Sequence, residues 1–286
     1  MNSYKIENGN CLEVIKNHQD ENFDACITDP PYGMGMEFWD HSVPSVDIWK
    51  EIYRVLKPGS FCLAFCSPQL YHRLALNIED AGFKIQDQIM WMTTTKMPKV
   101  NKLKPAHEPI VVAQKLFSGT IESNFNKYGV GKIDIESVRI PWDKEPPKNW
   151  VAQGSKRRTF GKQGNTKGGA DIYGKVDANI NGRYPSNIIG ETLSEHQKYF
   201  YAPRVTSKER LEFNDHPTPK PISLMEYLIK IYCPKDKLVL DPFCGSGSTG
   251  IAALLNERNF HGIEMEQKYC EIAEKRIENY LNQNNL

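Results

Sequence analysis

Two segments of the sequence place polar side chains where a predicted strand ends. In the first, residues 23–33, an apolar strand leads into Asp29, Pro30, Pro31 and Tyr32. The prolines fix φ and make the loop rigid, so the Asp29 carboxylate and the Pro30 carbonyl form two acceptors aimed at one place. Such a pair suits an amino group with two N–H bonds, and Tyr32 offers a flat face to the ring that bears it. From these residues alone, a proline turn at a sheet edge stays open as the alternative.

The second segment, residues 237–250, runs from a short apolar strand into the glycine-rich turn Asp-Pro-Phe-Cys-Gly-Ser-Gly-Ser-Thr. Glycines permit a tight turn and a close approach of backbone to a ligand, and the lack of a following lysine argues against a Walker-type phosphate loop. Asp241 can accept hydrogen bonds from an ammonium group, and Glu264, after the next predicted strand, can accept from ribose hydroxyls. These residues favour a ligand that joins a cationic amino acid to a nucleoside. A generic turn between strand and helix is the alternative.

The elements that must position these segments alternate between strands and helices. Apolar runs predict strands at residues 24–28, 60–66, 89–92, 110–113, 238–240 and 260–264. Helical spacing predicts helices at residues 46–56, 70–81, 221–232, 249–256 and 267–281. This alternation is typical of a parallel α/β sheet that is covered by helices on both faces.

The composition of the chain is that of an ordinary globular protein, with 286 residues of which 40% are hydrophobic and 25% charged. Because 36 Lys+Arg stand against 35 Asp+Glu, contact with nucleic acid must come from a local basic patch. No apolar run approaches the roughly 20 residues of a membrane span, and residues 1–10 lack the apolar core of a signal peptide. We therefore expect a cytoplasmic protein without membrane contact. Seven cysteines without C-x-x-C spacing predict reduced core thiols, and neither a disulfide framework nor a metal site.

A middle zone, residues 117–203, interrupts the alternation. Residues 151–185 hold seven basic and two acidic side chains, a local charge of +5, together with seven glycines and three aromatic residues. One interpretation is a solvated loop. The other is a basic segment that is mobile between residues 151 and 175 and becomes ordered on phosphate. The composition leaves both open.

Taken together, the D-P-P-Y run at 29–32 and the glycine-rich turn at 241–249 resemble the S-adenosylmethionine-dependent amino-methyltransferases of DNA. The order of the two motifs resembles the circularly permuted β-class, and the chain is similar to phage and prophage adenine-specific DNA methylases. Residues 8–11 resemble the segment that contacts the adenine of the cofactor, although Asn10 stands where family members usually have Asp. Residues 216–221, His-Pro-Thr-Pro-Lys-Pro, resemble the motif that opens the helix around the methionine end.

The resemblance implies a Rossmann-like methyltransferase fold with a circularly permuted, mostly parallel, seven-stranded sheet and an inserted target-recognition region. Residues 1–116 would form the catalytic part, 117–203 the basic recognition insertion, and 204–286 the cofactor-binding part. The implied catalytic residues are Asp29, Pro30, Pro31 and Tyr32. The implied cofactor-binding residues are Asn10, Cys11, Asp29, Lys220, Asp241, Phe243, Gly245, Gly247, Thr249 and Glu264, and the candidates for DNA binding are Lys156, Arg157 and Arg158.

The implied activity is methyl transfer from S-adenosyl-L-methionine to the N6 amino group of adenine in double-stranded DNA, with the target base flipped out of the helix. Cytosine N4 is the alternative, since D-P-P-Y goes mostly with adenine and S-P-P-Y mostly with cytosine in this family. Carbon 5 of cytosine is disfavoured because it requires a nucleophilic Cys after Pro, a pair that the sequence lacks. A non-catalytic DNA-binding module is an alternative of another class, but it would not need these motifs. A homodimer is left open.

Overall fold

The computed structural model describes residues 2–35, 40–93, 101, 103–146, 178–190, 201–203, 213–214 and 216–284. Within these residues the chain forms eight strands and seven α-helices. The strands are β1 (Tyr4–Asn8), β2 (Phe23–Thr28), β3 (Leu56–Phe65), β4 (Lys84–Met92), β5 (His107–Gln114), β6 (Ile188–Gly190), β7 (Leu238–Asp241) and β8 (Asn259–Glu264). The helices are α1 (Cys11–Lys16), α2 (Val46–Val55), α3 (Tyr71–Asp80), α4 (Ile121–Tyr128), α5 (Ile222–Tyr232), α6 (Ser248–Leu255) and α7 (Gln267–Asn284), with a 3₁₀ turn at Glu136–Val138.

All eight of these strands form one sheet in the order β1-β8-β7-β2-β3-β5-β4-β6. The pairs from β1 to β3 in that order are parallel, whereas β5 runs antiparallel to β3 and β4. The predicted α/β class and mostly parallel sheet are confirmed. The described part of the chain has eight strands, one more than predicted, and the short edge strand β6 comes from the middle zone and pairs with β4.

The first and last strands in the sequence pair at one edge of the sheet. β1 pairs with β8, with Tyr4 opposite Phe260, and β7 lies beside β2 near the centre of the sheet. The N-terminal and C-terminal parts therefore build a single sheet, and the two motif-bearing strands are neighbours in it.

Helices cover both faces of the sheet. One cluster of buried side chains packs under α1, α2 and α3, and the other under α5, α6 and the C-terminal half of α7. β2 shows the alternation of a strand between two layers, since Ala25 and Ile27 belong to the cluster under α5 and α6 and Cys26 belongs to the opposite one. All six residues of β2 are buried, as expected of a strand covered on both faces.

The seven cysteines are free and buried, which agrees with their interpretation as core residues. Among the described residues, none of the helices combines the length and the apolar character needed to cross a lipid bilayer.

Candidate active site

The two predicted motifs lie side by side at one edge of the sheet. β2 and β7 are parallel neighbours, so their carboxyl ends open at the same edge, the position at which open α/β sheets bind ligands. β2 ends at Thr28, directly before Asp29, and β7 ends at Asp241. The Thr28 hydroxyl donates to a carboxylate oxygen of Asp241 over 2.7 Å, which joins the two segments directly.

A cavity of about 1210 Å³ opens at this edge. Sites for one small ligand usually enclose about 300–1000 Å³, so this cavity has room for two. Among the described residues that line it, six are acidic and two are lysines, which favours a cationic ligand. Of the residues predicted for catalysis and cofactor binding, all but Gly247 line the cavity: Asn10, Cys11, Asp29, Pro30, Pro31, Tyr32, Lys220, Asp241, Phe243, Gly245, Thr249 and Glu264.

The glycine-rich turn folds around the Asp241 carboxylate, of which only 2% is exposed. Asp241 accepts hydrogen bonds from the hydroxyls of Thr28 and Thr249, at 2.7 and 2.6 Å, and from the Phe243 N–H at 3.2 Å. Burial raises the pKa of Asp241 to about 6, although these hydrogen bonds oppose the rise. The carboxyl group therefore changes charge close to neutral pH, and a cationic ligand beside it would stabilise the ionised form.

Two glycines of the turn have backbone conformations that side chains rarely adopt. Gly245 has φ +48°, and a Cβ there would lie 2.8 Å from the His216 ring, so the turn packs closely against the segment that precedes α5. Gly247 has φ +80° and caps α6, where a Cβ would lie 3.0 Å from that of Ala273. Gly247 thus shapes the turn from the side of α7 and does not line the cavity.

A buried arginine on α7 stabilises the same turn through hydrogen bonds. Arg276 lies on α7, is 1% exposed, and donates to the backbone carbonyl of Ser246 and, at 2.8 Å, to its hydroxyl. This residue was not among those predicted for the site. The signal that could have found it is a lone arginine between Ala273 and Ile277 on the apolar side of the predicted helix.

Glu264, at the end of β8, also binds the turn. One carboxylate oxygen accepts the Gly245 N–H at 2.9 Å and the other accepts the Glu266 N–H at 2.8 Å. Burial raises the pKa of Glu264 despite these hydrogen bonds. The side chain lines the cavity, as a ribose acceptor must, while it also holds the backbone of the turn in place.

The N-terminal segment forms another wall of the cavity. Asn10 caps α1, and its side-chain oxygen accepts the Leu12 N–H at 3.0 Å. An amide oxygen has two lone pairs, so capping leaves room for the predicted contact with an adenine amine. Cys11 is the first residue of α1, and burial raises the pKa of its thiol to about 11, which keeps the thiol neutral.

The Asp29 carboxylate lies within a compact network of polar side chains. The Tyr32 hydroxyl donates to Oδ1 of Asp29 over 2.8 Å, and the Lys220 ammonium pairs with Oδ2. Glu108, on β5, accepts from the same Tyr32 hydroxyl at 2.9 Å and lies 3.6 Å from the Lys220 Nζ. Lys220, predicted for cofactor binding, thus contacts the predicted catalytic carboxylate directly.

The charges of this network follow from burial and proximity. Burial raises the pKa of Asp29, as does the neighbouring Glu108 charge, while Lys220 opposes the rise. Burial by itself would lower the pKa of Lys220, but the two carboxylates raise it above its usual value. Lys220 is therefore a protonated donor between two acids. Glu108 was missed as a site residue, although a carboxylate at the start of a predicted apolar strand was a visible signal.

Two further sets of residues remain, one outside the described residues and one that does not line the cavity. Lys156, Arg157 and Arg158, and the mobility expected of residues 151–175, fall outside the described residues. Elsewhere, Glu7 Oε1 accepts from His18 Nε2 at 3.0 Å and from His261 Nε2 at 2.6 Å. Those ligand atoms lie within 4.8 Å of one another, and their hydrogen bonds link β1, β8 and the segment that follows α1.

Comparison with protein families gives a match over most of the chain. The family model described as DNA methylase, which covers N6 and N4 methyltransferases, matches residues 23–275. The type II methyltransferase M2.MboI of Moraxella bovis is 27% identical over 279 residues, which cover 96% of this chain and 87% of the relative. The type II methyltransferase M.HindIII of Haemophilus influenzae is 24% identical and covers 95% of this chain and 94% of the relative.

Two solved structures extend the comparison to the fold. The complex of M1.HpyAVI with SAM aligns with a TM-score of 0.54 and 24% identity, over 96% of this chain and 99% of the other. The PvuII DNA methyltransferase, described as cytosine-N4-specific, aligns with a TM-score of 0.60 and 16% identity, over 99% and 92% of the two chains. The Rossmann-like architecture of these structures is therefore shared by the present chain.

Proposed function

Because the chain belongs to the DNA methylase family, we propose that it is a site-specific DNA methyltransferase that transfers a methyl group from S-adenosyl-L-methionine to the N6 amino group of adenine. The observation that carries this proposal is the single cavity shared by the Asp29 and Asp241 strand ends. One end presents acceptors for an amine, and the other presents a glycine-rich turn beside the buried Asp241 and the partly exposed Glu264. The proposal therefore places amine and methyl donor in the same cavity.

The cavity fits S-adenosyl-L-methionine in size, charge and backbone shape. Its volume of about 1210 Å³ exceeds the roughly 300–1000 Å³ of a site for one small ligand, as two ligands require. Acidic side chains outnumber lysines three to one among the described lining residues, six against two, which suits a sulfonium and an ammonium. A Cβ added at Gly245 would meet the His216 ring. Glycine at this position therefore lets the turn pack against the segment that precedes α5. Asp241 and Glu264 would hold the two polar ends of the ligand.

The chain's own residues would activate the amine. S-adenosyl-L-methionine, when bound, supplies an electrophilic methyl group on sulfur. An exocyclic amine is a weak nucleophile because its lone pair is delocalised into the ring. Acceptance of its N–H bonds by the Asp29 carboxylate and the Pro30 carbonyl localises that pair as the nitrogen becomes tetrahedral, and stabilises the positive charge that develops there. Tyr32 would stack on the flipped base.

Adenine is proposed over cytosine on the Asp-Pro-Pro-Tyr motif, through its resemblance to adenine-specific enzymes. Cytosine N4 is the second candidate, because the PvuII enzyme that shares the fold is described as cytosine-N4-specific and the family model covers both amines. Both bases present an exocyclic amine to the same pair of acceptors, so the chemistry of Asp29 is the same for either.

The test is a digest of DNA methylated by the purified protein. The protein is incubated with S-adenosyl-L-methionine and unmethylated genomic DNA, and the released nucleosides are identified by mass spectrometry. We expect N6-methyladenine. Detection of N4-methylcytosine would change the target base from adenine to cytosine but leave methyl transfer to an exocyclic amine as the reaction. The absence of any methylated base in several unrelated genomes would refute the proposed function. In the same assay Asp29→Ala should yield no methylated base, whereas its matched control Asp24→Asn should still yield it, since this buried carboxylate lies at the other end of β2 and pairs with Lys57 at 2.7 Å.

A further inference from the structure

The oxygens of Asp29 already have donors in the structure. Tyr32 donates to Oδ1 and Lys220 pairs with Oδ2, yet the proposed function requires this carboxylate to accept an N–H from the target base. Only 22% of the Asp29 side chain is exposed. Each of these oxygens has a second lone pair, but the Lys220 ammonium draws on the same negative charge, so an incoming amine competes with donors that are themselves largely buried.

Glu108 offers the same two donors a second acceptor. Its Oε2 lies 2.9 Å from the Tyr32 hydroxyl and 3.6 Å from the Lys220 Nζ, and the residue is 7% exposed. A charge-assisted N–H···O bond is about 2.7–2.9 Å long, so a shift of Nζ by roughly 1 Å would bring Lys220 onto Glu108. The Tyr32 hydroxyl has one proton and can leave Asp29 while it stays bonded to Glu108.

Without Glu108, Lys220 could not leave Asp29 at an acceptable cost in free energy. Lys220 lies 5.4 Å from the centre of the Tyr32 ring and 5.2 Å from that of Phe65, and 9% of its side chain is exposed. An ammonium that left Asp29 in such surroundings without another carboxylate would be a buried unpaired charge, which is strongly unfavourable. Without Glu108, Lys220 would stay on Asp29 and oppose the entry of the amine.

We propose that Glu108 is a positioning residue, which takes over Lys220 and the Tyr32 hydroxyl when the target amine binds Asp29. This proposal rests on the proposed function, because the amine is that of the target base. No covalent step is involved. Lys220 exchanges one carboxylate partner for another and keeps its proton, and the network of two acids and one ammonium keeps its net charge.

The test is a double-mutant cycle with Glu108→Gln and Lys220→Met, assayed for methyl transfer to DNA at saturating S-adenosyl-L-methionine. Glutamine keeps the size of the side chain and removes the charge that attracts Lys220. Coupled residues of one network interact by about 2- to 150-fold, and we expect Glu108→Gln to lower kcat/KM for DNA within that range while cofactor affinity changes by less than about twofold. Glu108→Asp should restore part of the activity.

The decisive comparison is made in the absence of Lys220. If Glu108 acts by drawing Lys220 away from Asp29, the double variant should be no less active than Lys220→Met alone. Equal losses from Glu108→Gln in both backgrounds would overturn the proposal, as would full activity of Glu108→Gln in the wild-type background.

Two controls separate this outcome from misfolding and from failure of the proposed function. Gln114→Leu also removes a buried polar group from β5, one that donates to the Gly59 carbonyl at 2.9 Å, and it should leave kcat and KM unchanged. If Glu108→Gln loses the cooperative melting transition, the cycle is run with Glu108→Asp, and additive effects there refute the proposal. A wild-type protein that transfers no methyl group refutes the proposed function, whereas an active wild type with uncoupled variants refutes only the role of Glu108.

Discussion

The pKa of Asp241 predicts how the affinity for S-adenosyl-L-methionine depends on pH. Asp241 is 2% exposed and its pKa is raised to about 6 by burial. Below that pH the carboxyl group is neutral and cannot attract a cation. Above it the carboxylate is ionised, and a cationic cofactor gains its attraction. Affinity should therefore rise as the pH increases through about 6.

The size of the effect follows from the ionised fraction. For a pKa of about 6, that fraction rises from about 9% at pH 5 to about 91% at pH 7. If the cofactor binds only to the ionised form, affinity increases about tenfold over this interval, or roughly 1.4 kcal/mol. Asp241→Asn should abolish most of this dependence. The hydroxyls of Thr28 and Thr249, which donate to Asp241 at 2.7 and 2.6 Å, can rotate to accept from an amide, so the fold should survive.

Ionisation of Asp241 affects folding stability in the opposite direction: it should strengthen cofactor binding but destabilise the free protein. Since the folded state raises the pKa of Asp241 above its usual value, the folded state binds the proton more tightly than the unfolded state does. Its ionisation therefore destabilises the free protein as the pH rises through about 6, and the penalty disappears below the unfolded pKa of about 4. Asp241→Asn should accordingly raise the melting temperature at pH 7.5 more than at pH 5.

Isothermal titration with S-adenosyl-L-methionine at pH 5, 6 and 7, at constant ionic strength, measures the affinity directly. Asp24→Asn serves as the matched control, because Asp24 is 4% exposed on β2 and does not line the cavity, so its loss should leave the slope intact. A wild-type affinity that is flat over this range, or a slope that persists in Asp241→Asn, would refute the reasoning.

Five variants test the other predicted residues. Asp29→Ala should abolish methyl transfer and leave cofactor affinity nearly intact; residual turnover above about a hundredth would argue against an oriented acceptor worth about 3–4 kcal/mol. Glu264→Ala should weaken cofactor binding by roughly 1–3 kcal/mol in calorimetry, and an unchanged affinity would remove Glu264 from the site. Tyr32→Ala should raise the KM for DNA, whereas Tyr32→Phe should have a mild effect because stacking needs the ring and not the hydroxyl; an inactive Phe variant would mean that Tyr32 acts through its oxygen. Alanine at residues 156–158 should raise the KM for DNA and flatten its salt dependence, while an unaltered salt slope would make the segment a solvated loop.

The strand ends and their chemistry were predictable because their signals are local. The proline pair after β2 and the glycines after β7 mark loops within a few residues of sequence, and each of the predicted strands and helices overlaps an observed one. α1 was not predicted, because its six residues are too few to show a helical period. α4 lies within the middle zone, in a part to which no helix was assigned, although its ends carry the capping residues Thr120 and Gly129.

Contacts between distant segments were not predictable in the same way. Glu108 is 79 residues from Asp29 and 112 from Lys220, and only the pairing of β5 with β3 brings it to the site. The Thr28 hydroxyl reaches Asp241 across a sequence separation of 213 residues. No spacing rule connects such residues in a single sequence, since the sheet order that joins them depends on which strands become neighbours.

The same physical cause shapes both ends of the cavity. Removal of water raises the pKa of Asp29 and of Asp241. The ionised form of each carboxylate is therefore less stable here than in solvent. A group of that kind gains most when a cation or an N–H donor arrives, because interactions are stronger where the dielectric is low. At Asp241 that gain appears as cofactor affinity that depends on pH. At Asp29 it appears as competition between Lys220 and the target amine, and Glu108 is the residue that lets the amine prevail.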